Sequence, residues 1–61
     1  MKPGDRAIHK KTGCVVDILT VTGAWCGCLF VFVPDQVVHH NWIAGRRRTF
    51  LLSELEKTGE I

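Results

Sequence analysis

Residues 28 to 33 read Cys-Leu-Phe-Val-Phe-Val, a β-prone run with no polar side. Side chains alternate across a strand, so Cys28, Phe30 and Phe32 are expected on one face and Leu29, Val31 and Val33 on the other. A chain of 61 residues has room for one core and no second. One face of this run can fill that core; the other needs cover from a second copy, a partner or a terminal segment. The tail after Leu55 is short and polar, which favours a homo-oligomer in which a patch containing Phe30, Phe32 and Trp25 meets itself. The competing arrangement buries Phe30 and Phe32 and packs Leu29, Val31 and Val33 under the tail.

Domains of this size are marginally stable without disulfides, metal or self-association. Three cysteines, Cys14, Cys26 and Cys28, cannot all pair within one chain, and a reducing cytoplasm is the simpler setting. The opening Met1-Lys2-Pro3-Gly4-Asp5-Arg6 is polar, and no apolar run approaches the roughly 20 residues needed to span a bilayer. A soluble cytoplasmic protein, without a membrane partner, is expected. Charge is unevenly placed: residues 1–50 hold seven Lys or Arg against three Asp, whereas the last eleven hold Lys57 against three Glu. The basic surplus of the body suits a phosphate backbone or an acidic protein surface.

No repeat, linker or low-complexity tract divides the chain, so residues 1–61 form a single domain. Short β-prone runs alternate with turn residues. Strands are expected at Arg6 to Lys10, Cys14 to Val21, Trp25 to Val33 and Val37 to Ile43, with turns at Lys11-Thr12-Gly13, Thr22-Gly23 and Pro34-Asp35. Gly27 marks a bulge or a close backbone approach. After the arginines and Thr49-Phe50-Leu51-Leu52, the run Ser53-Glu54-Leu55-Glu56 suits one helical turn with Ser53 as its N-cap. The expectation is an all-β small barrel of four to five antiparallel strands with one short helical turn near the C-terminus.

The segment Gly4-Asp5-Arg6-Ala7-Ile8-His9-Lys10-Lys11-Thr12-Gly13, followed by Val15-Val16-Asp17-Ile18, resembles the opening of SH3-like small barrels, including KOW and Tudor-type domains. Phe50-Leu51-Leu52-Ser53-Glu54-Leu55-Glu56 is similar to the helical turn preceding the last strand in such barrels. Roughly half of the chain is covered, and what the resemblance implies is a barrel rather than a ligand. The chain departs from a KOW-like pattern in having no second glycine between Gly13 and Gly23, and with no tyrosine an aromatic cage would have to use Trp and Phe. Plasmid-borne dihydrofolate reductases with SH3-like barrels open similarly, but Gln36-Val37-Val38 is not equivalent to the Gln-Ile-Tyr segment of their pore.

Arg46-Arg47-Arg48 is the strongest local signal. Guanidinium groups bind phosphate bidentately, and Trp42 nearby offers a stacking face for an unpaired base. Lys10 and Lys11 extend such a patch; the alternative is a solvated hairpin loop that keeps an edge soluble. Cys26 and Cys28, one residue apart, lack the spacing by which paired cysteines grip one zinc ion, and His39 and His40 point to opposite faces of a strand, so no metal or other cofactor is expected. A Cys and His pair without an orienting group or oxyanion pocket does not make an enzyme. The sequence therefore points to a non-enzymatic binding module contacting nucleic acid electrostatically through Arg46, Arg47, Arg48, Lys10, Lys11 and Trp42. The alternative is a protein-interaction module, of the kind phages and plasmids carry as small regulators, gripping an acidic protein partner through its apolar strand face.

Overall fold

The computed structural model of the chain describes residues 1–37 and 42–58. Five antiparallel strands, β1 (Arg6–His9), β2 (Val15–Thr22), β3 (Trp25–Phe32), β4 (Arg47–Leu51) and β5 (Leu55–Lys57), form one sheet in the order β4-β3-β2-β1-β5. A single 3₁₀ turn, Leu52–Glu54, joins β4 to β5. The all-β expectation with one short turn near the C-terminus therefore holds, with β4 and β5 as the two edges of the sheet. Among the described residues no helix is long and apolar enough to cross a membrane.

Local chemistry explains the hairpins. Thr22 pairs with Trp25, leaving Gly23-Ala24 as a two-residue loop. Gly23 has φ +60° while Ala24 stays in negative φ, the pattern of a type II′ turn, whose first central position favours glycine. Gly27 faces Thr20 so closely that an added Cβ would lie 2.6 Å from Thr20 Oγ1.

Two breaks in the β2–β3 register decide which side chains enter the core. Val16 pairs with Phe30 and Val15 with Phe32, so Val31 is an extra residue. Each extra residue inverts the alternation beyond it. Phe30 is 2 % exposed, whereas Phe32 is 56 % exposed, and Val33 rather than Phe32 packs against the core. The expected sharing of one face by Phe30 and Phe32 thus fails at the bulge. A second break, at Leu19, lets Ile18 and Val21 both turn inward. Around Phe30 the core gathers Val16, Ile18, Cys26, Cys28 and Phe50.

Two further expectations are corrected. Val37, Trp42 and Ile43 lie outside any strand, while 38–41 of the expected fourth strand, with His39 and His40, fall outside the described residues. The strand after β3 instead begins within the arginine run, Arg47 pairing with Leu29 and Arg48 with Cys28. Ser53 sits inside the 3₁₀ turn, and its N-cap is Leu51, whose N–H donates to Glu54 Oε1 at 3.2 Å. Glu54, four bonds of side chain away from the backbone, reaches that orphan donor more readily than the shorter serine at its position.

Candidate nucleic-acid interface

The groove of interest lies along the free edge of β4, where that strand faces the turn after β1 and the 3₁₀ turn. Its cavity of about 390 Å³ is lined by residues of these segments, with His9, Lys11, Trp25, Trp42, Arg48 and Glu54 among them. One wall is held by the turn after β1, in which Thr12 N–H and Gly13 N–H both donate to His9 C=O, at 3.2 and 2.7 Å. Lys10 N–H donates to Glu54 C=O at 3.0 Å and fastens that turn to the 3₁₀ turn. The other wall is β4. Arg46 C=O accepts from Phe30 N–H, and Leu52 N–H donates to Ala24 C=O. By antiparallel alternation the backbone groups of Arg47, Thr49 and Leu51 then face away from β3.

An aromatic stack forms the floor. Phe30 and Trp42 have ring centroids 5.5 Å apart with planes tilted by 33°, and Phe50 meets Trp42 edge-on at 5.6 Å. His9 joins from β1, 4.4 Å from Phe50 and 5.5 Å from Trp42. Arg48 closes the stack: its guanidinium carbon stands 5.2 Å from the Trp42 centroid and 5.9 Å from that of Phe50. A guanidinium held over two rings by cation–π attraction has lost much of its freedom before any ligand arrives. An incoming planar group therefore meets the Arg48 guanidinium on this side of Trp42, while Trp25, 51 % exposed, presents an indole at the groove's other end.

The arginine run is thereby divided. Arg48 shares a strand face with Phe50 and turns toward the stack, whereas Arg47, one residue away, projects to the opposite face beside Leu19 and Thr20. Arg46, Lys10 and Lys11 are exposed. Among the described residues the ion pairs are Arg6 with Asp17 at 2.8 Å and Lys57 with Asp5 at 3.6 Å. No carboxylate there neutralises Lys10, Lys11, Arg46, Arg47 or Arg48. Of the residues expected at an oligomer interface, Phe30 lies in the core, while Trp25 and Phe32 are on the surface at opposite ends of β3.

His9 is the residue that sequence reasoning missed. It is 4 % exposed, and its Nδ1 lies 2.8 Å from Thr12 Oγ1. The same hydroxyl donates to Cys14 Sγ at 3.2 Å and receives Cys14 N–H at 3.4 Å. Burial pushes the His9 pKa below its ordinary value; Glu54 opposes the shift, and Lys11 and Arg48 add to it. The imidazole is therefore neutral near pH 7. Its sequence signal was faint: Ala7 and His9 alternate with Arg6 and Ile8, which places the histidine on the core face only once Ala7 is known to be inside.

The cysteines belong to the core. All three are free and buried; burial raises the thiol pKa of Cys26, and burial with the neighbouring Cys26 pushes that of Cys28 up to about 11. The Cys26 and Cys28 thiols are therefore protonated at neutral pH and poor as nucleophiles or metal ligands. Among the described residues no group of three or more His, Cys, Asp or Glu side chains converges. Comparison with family models, with curated proteins and with solved structures finds no match for this chain.

Proposed function

We propose that this chain is an SH3-like small barrel acting as a non-enzymatic binding module that contacts nucleic acid through the basic end of β4 and the turn after β1. Five short antiparallel strands with a 3₁₀ turn directly before the last support the barrel reading. The observation that carries the function is the meeting of Arg48 and Lys11, both without a carboxylate partner among the described residues, with Trp25 and Trp42 around one groove. Cations near an aromatic surface suit a phosphate backbone and its bases, with recognition mainly electrostatic and weakly sequence-specific. Lys10, Arg46 and Arg47 surround the groove as phosphate contacts, and three buried free thiols suit a reducing cytoplasm.

The test is anisotropy titration of a labelled oligonucleotide between about 50 and 200 mM salt. Affinity should fall steeply with salt, and Arg46→Ala, Arg47→Ala and Arg48→Ala together should abolish binding. Unchanged binding in that triple variant would overturn the reading. A second reading, self-association or capture of an acidic protein through the outer sheet face, draws on the exposure of Phe32 beside the half-buried Val15 and Val31. It predicts a larger solution mass that survives high salt and is lost in Phe32→Ser.

A further inference from the structure

The groove is lined by a buried histidine, one ring nitrogen of which has no hydrogen-bond partner among the described residues. His9 is 96 % removed from solvent and lines the cavity. Its Nδ1 is taken by Thr12, and its contacts with Trp42 and Phe50 are ring to ring. No hydrogen bond from the described residues reaches Nε2. Thr12 Oγ1 can donate to or accept from Nδ1, so Thr12 satisfies that nitrogen in either tautomer and leaves Nε2 to accept or to donate. Buried polar atoms in folded proteins nearly always have partners, and one that lines a cavity is explained most simply by a ligand that completes it.

The surroundings of Nε2 restrict that ligand. A volume of about 390 Å³ falls within the range of pockets for small organic groups. Planar recognition is available at the Arg48 guanidinium, already layered on Trp42. Anion recognition is available at Lys11 and Arg48, while Nε2 requires a hydrogen-bond partner. An unpaired nucleotide combines all three, since a base has a π-face and N–H groups on its edge and is tethered to phosphate. A base in a duplex has its edge occupied and its faces stacked.

We propose that the groove takes one unpaired nucleotide, with its base stacked on the Arg48 guanidinium, its edge hydrogen-bonded to His9 Nε2, and its phosphate between Lys11 and Arg48. This rests on the nucleic-acid reading above and deepens it from a charged surface to a single-strand site. His9 reads the base, and the cations hold the backbone.

The decisive experiment titrates the full chain with three labelled probes of equal length, about eight nucleotides: a single strand, the blunt duplex, and an abasic deoxyribose-phosphate backbone. The single strand should bind roughly tenfold or more tightly than either of the others, with quenching of tryptophan emission. His9→Phe keeps the ring packing and removes the nitrogen, so it should weaken the single strand roughly three- to tenfold and leave the abasic backbone unchanged. A merely structural histidine would weaken both alike, which would overturn the role of His9. If His9→Phe does not fold, the comparison of probes with the native chain still decides the site: equal affinity for all three leaves the electrostatic function standing and removes the nucleotide pocket. Failure to bind any of them, or displacement of all three by an acidic peptide, overturns the nucleic-acid function together with the pocket.

Discussion

Of two concavities among the described residues, the one near the start of β1 and the groove beside β4, the larger is the poorer candidate for a site. The one near the start of β1 measures about 710 Å³ and is lined by Gly4, Arg6, Asp17, Ile18, Leu19 and Thr58. Its charges answer one another, Arg6 bonding Asp17 through Nε at 2.8 Å, and the Arg6 pKa is raised by that bond. Among the described residues no aromatic ring lines it. The groove beside β4 has little more than half the volume, yet it is lined by two cations without carboxylate partners among the described residues, two indoles and a buried imidazole with one nitrogen that no described residue hydrogen-bonds. Volume records where the sheet curves away from itself; unsatisfied chemistry records where something is expected to bind.

The comparison breaks most severely at the groove floor. Phe30 lies under Trp42 and against Phe50, so Phe30→Ala should cost about 3–5 kcal/mol. That approaches the whole stability expected of a 61-residue domain, about 3–9 kcal/mol, and the variant should be largely unfolded by circular dichroism. Leu19→Ala, in the larger concavity at an exposed bulge, should shift a urea midpoint by less than about 1 kcal/mol. A mild Phe30→Ala and a severe Leu19→Ala would reverse the assignment of core and surface.

Next in size is binding. Arg48→Ala should weaken oligonucleotide affinity roughly tenfold, because it removes both a phosphate contact and a stacking plane, and should lower the salt slope by about 1. Arg6→Ala should leave affinity and slope unchanged, its charge being already engaged by Asp17. Equal losses from the two substitutions would mean that only net charge matters.

These contrasts were unevenly legible in the sequence. Gly23 announced its hairpin, and the spacing of β-branched residues placed β2 and β3 because backbone preferences are local. The bulge at Val31 was invisible: Cys28 to Val33 is apolar throughout, and no polar residue marks where the alternation inverts. Arg47 and Arg48 read as a loop because a cationic run resembles a solvated turn. In the fold the stem and head of Arg48 cover Trp42 and Phe50, and the charges protect an edge strand. Lys11, Arg48 and Trp42 were legible as residue types, but their meeting around His9 depends on curvature of the sheet, which no local pattern encodes.

Acid separates the two regions by pH window. The His9 pKa lies below the 6.5 of an unburied imidazole, so the unfolded chain takes up a proton first. The stability associated with neutral His9 is complete above about pH 6.5 and declines as pH falls through the folded value, by at most about 1.4 kcal/mol per pH unit for one proton. Asp5, near the larger concavity, has its pKa lowered from 3.8, chiefly by the Lys2 N–H. Its contribution is present above that value and lost only in stronger acid. Urea midpoints measured from about pH 7.5 downward should decline in two stages, and His9→Phe should remove the upper one. Persistence of the upper stage in that variant would assign it elsewhere.

The smallest expected effect is also the most specific. Asp17→Asn removes the carboxylate beside Arg6 while keeping its size, and exposed ion pairs contribute little, so the thermal midpoint should stay where it is. The freed guanidinium then gives the larger concavity one cation without a partner, as in the groove beside β4. Counterion release predicts a salt slope for oligonucleotide binding steeper by about 1. What the substitution does not supply is an aromatic plane or a hydrogen-bond partner for a base edge, so the added affinity should be the same for single strand, duplex and abasic backbone. A gain confined to the single strand would show that a free cation beside any concavity suffices for base recognition, and the distinction between the two concavities would fall.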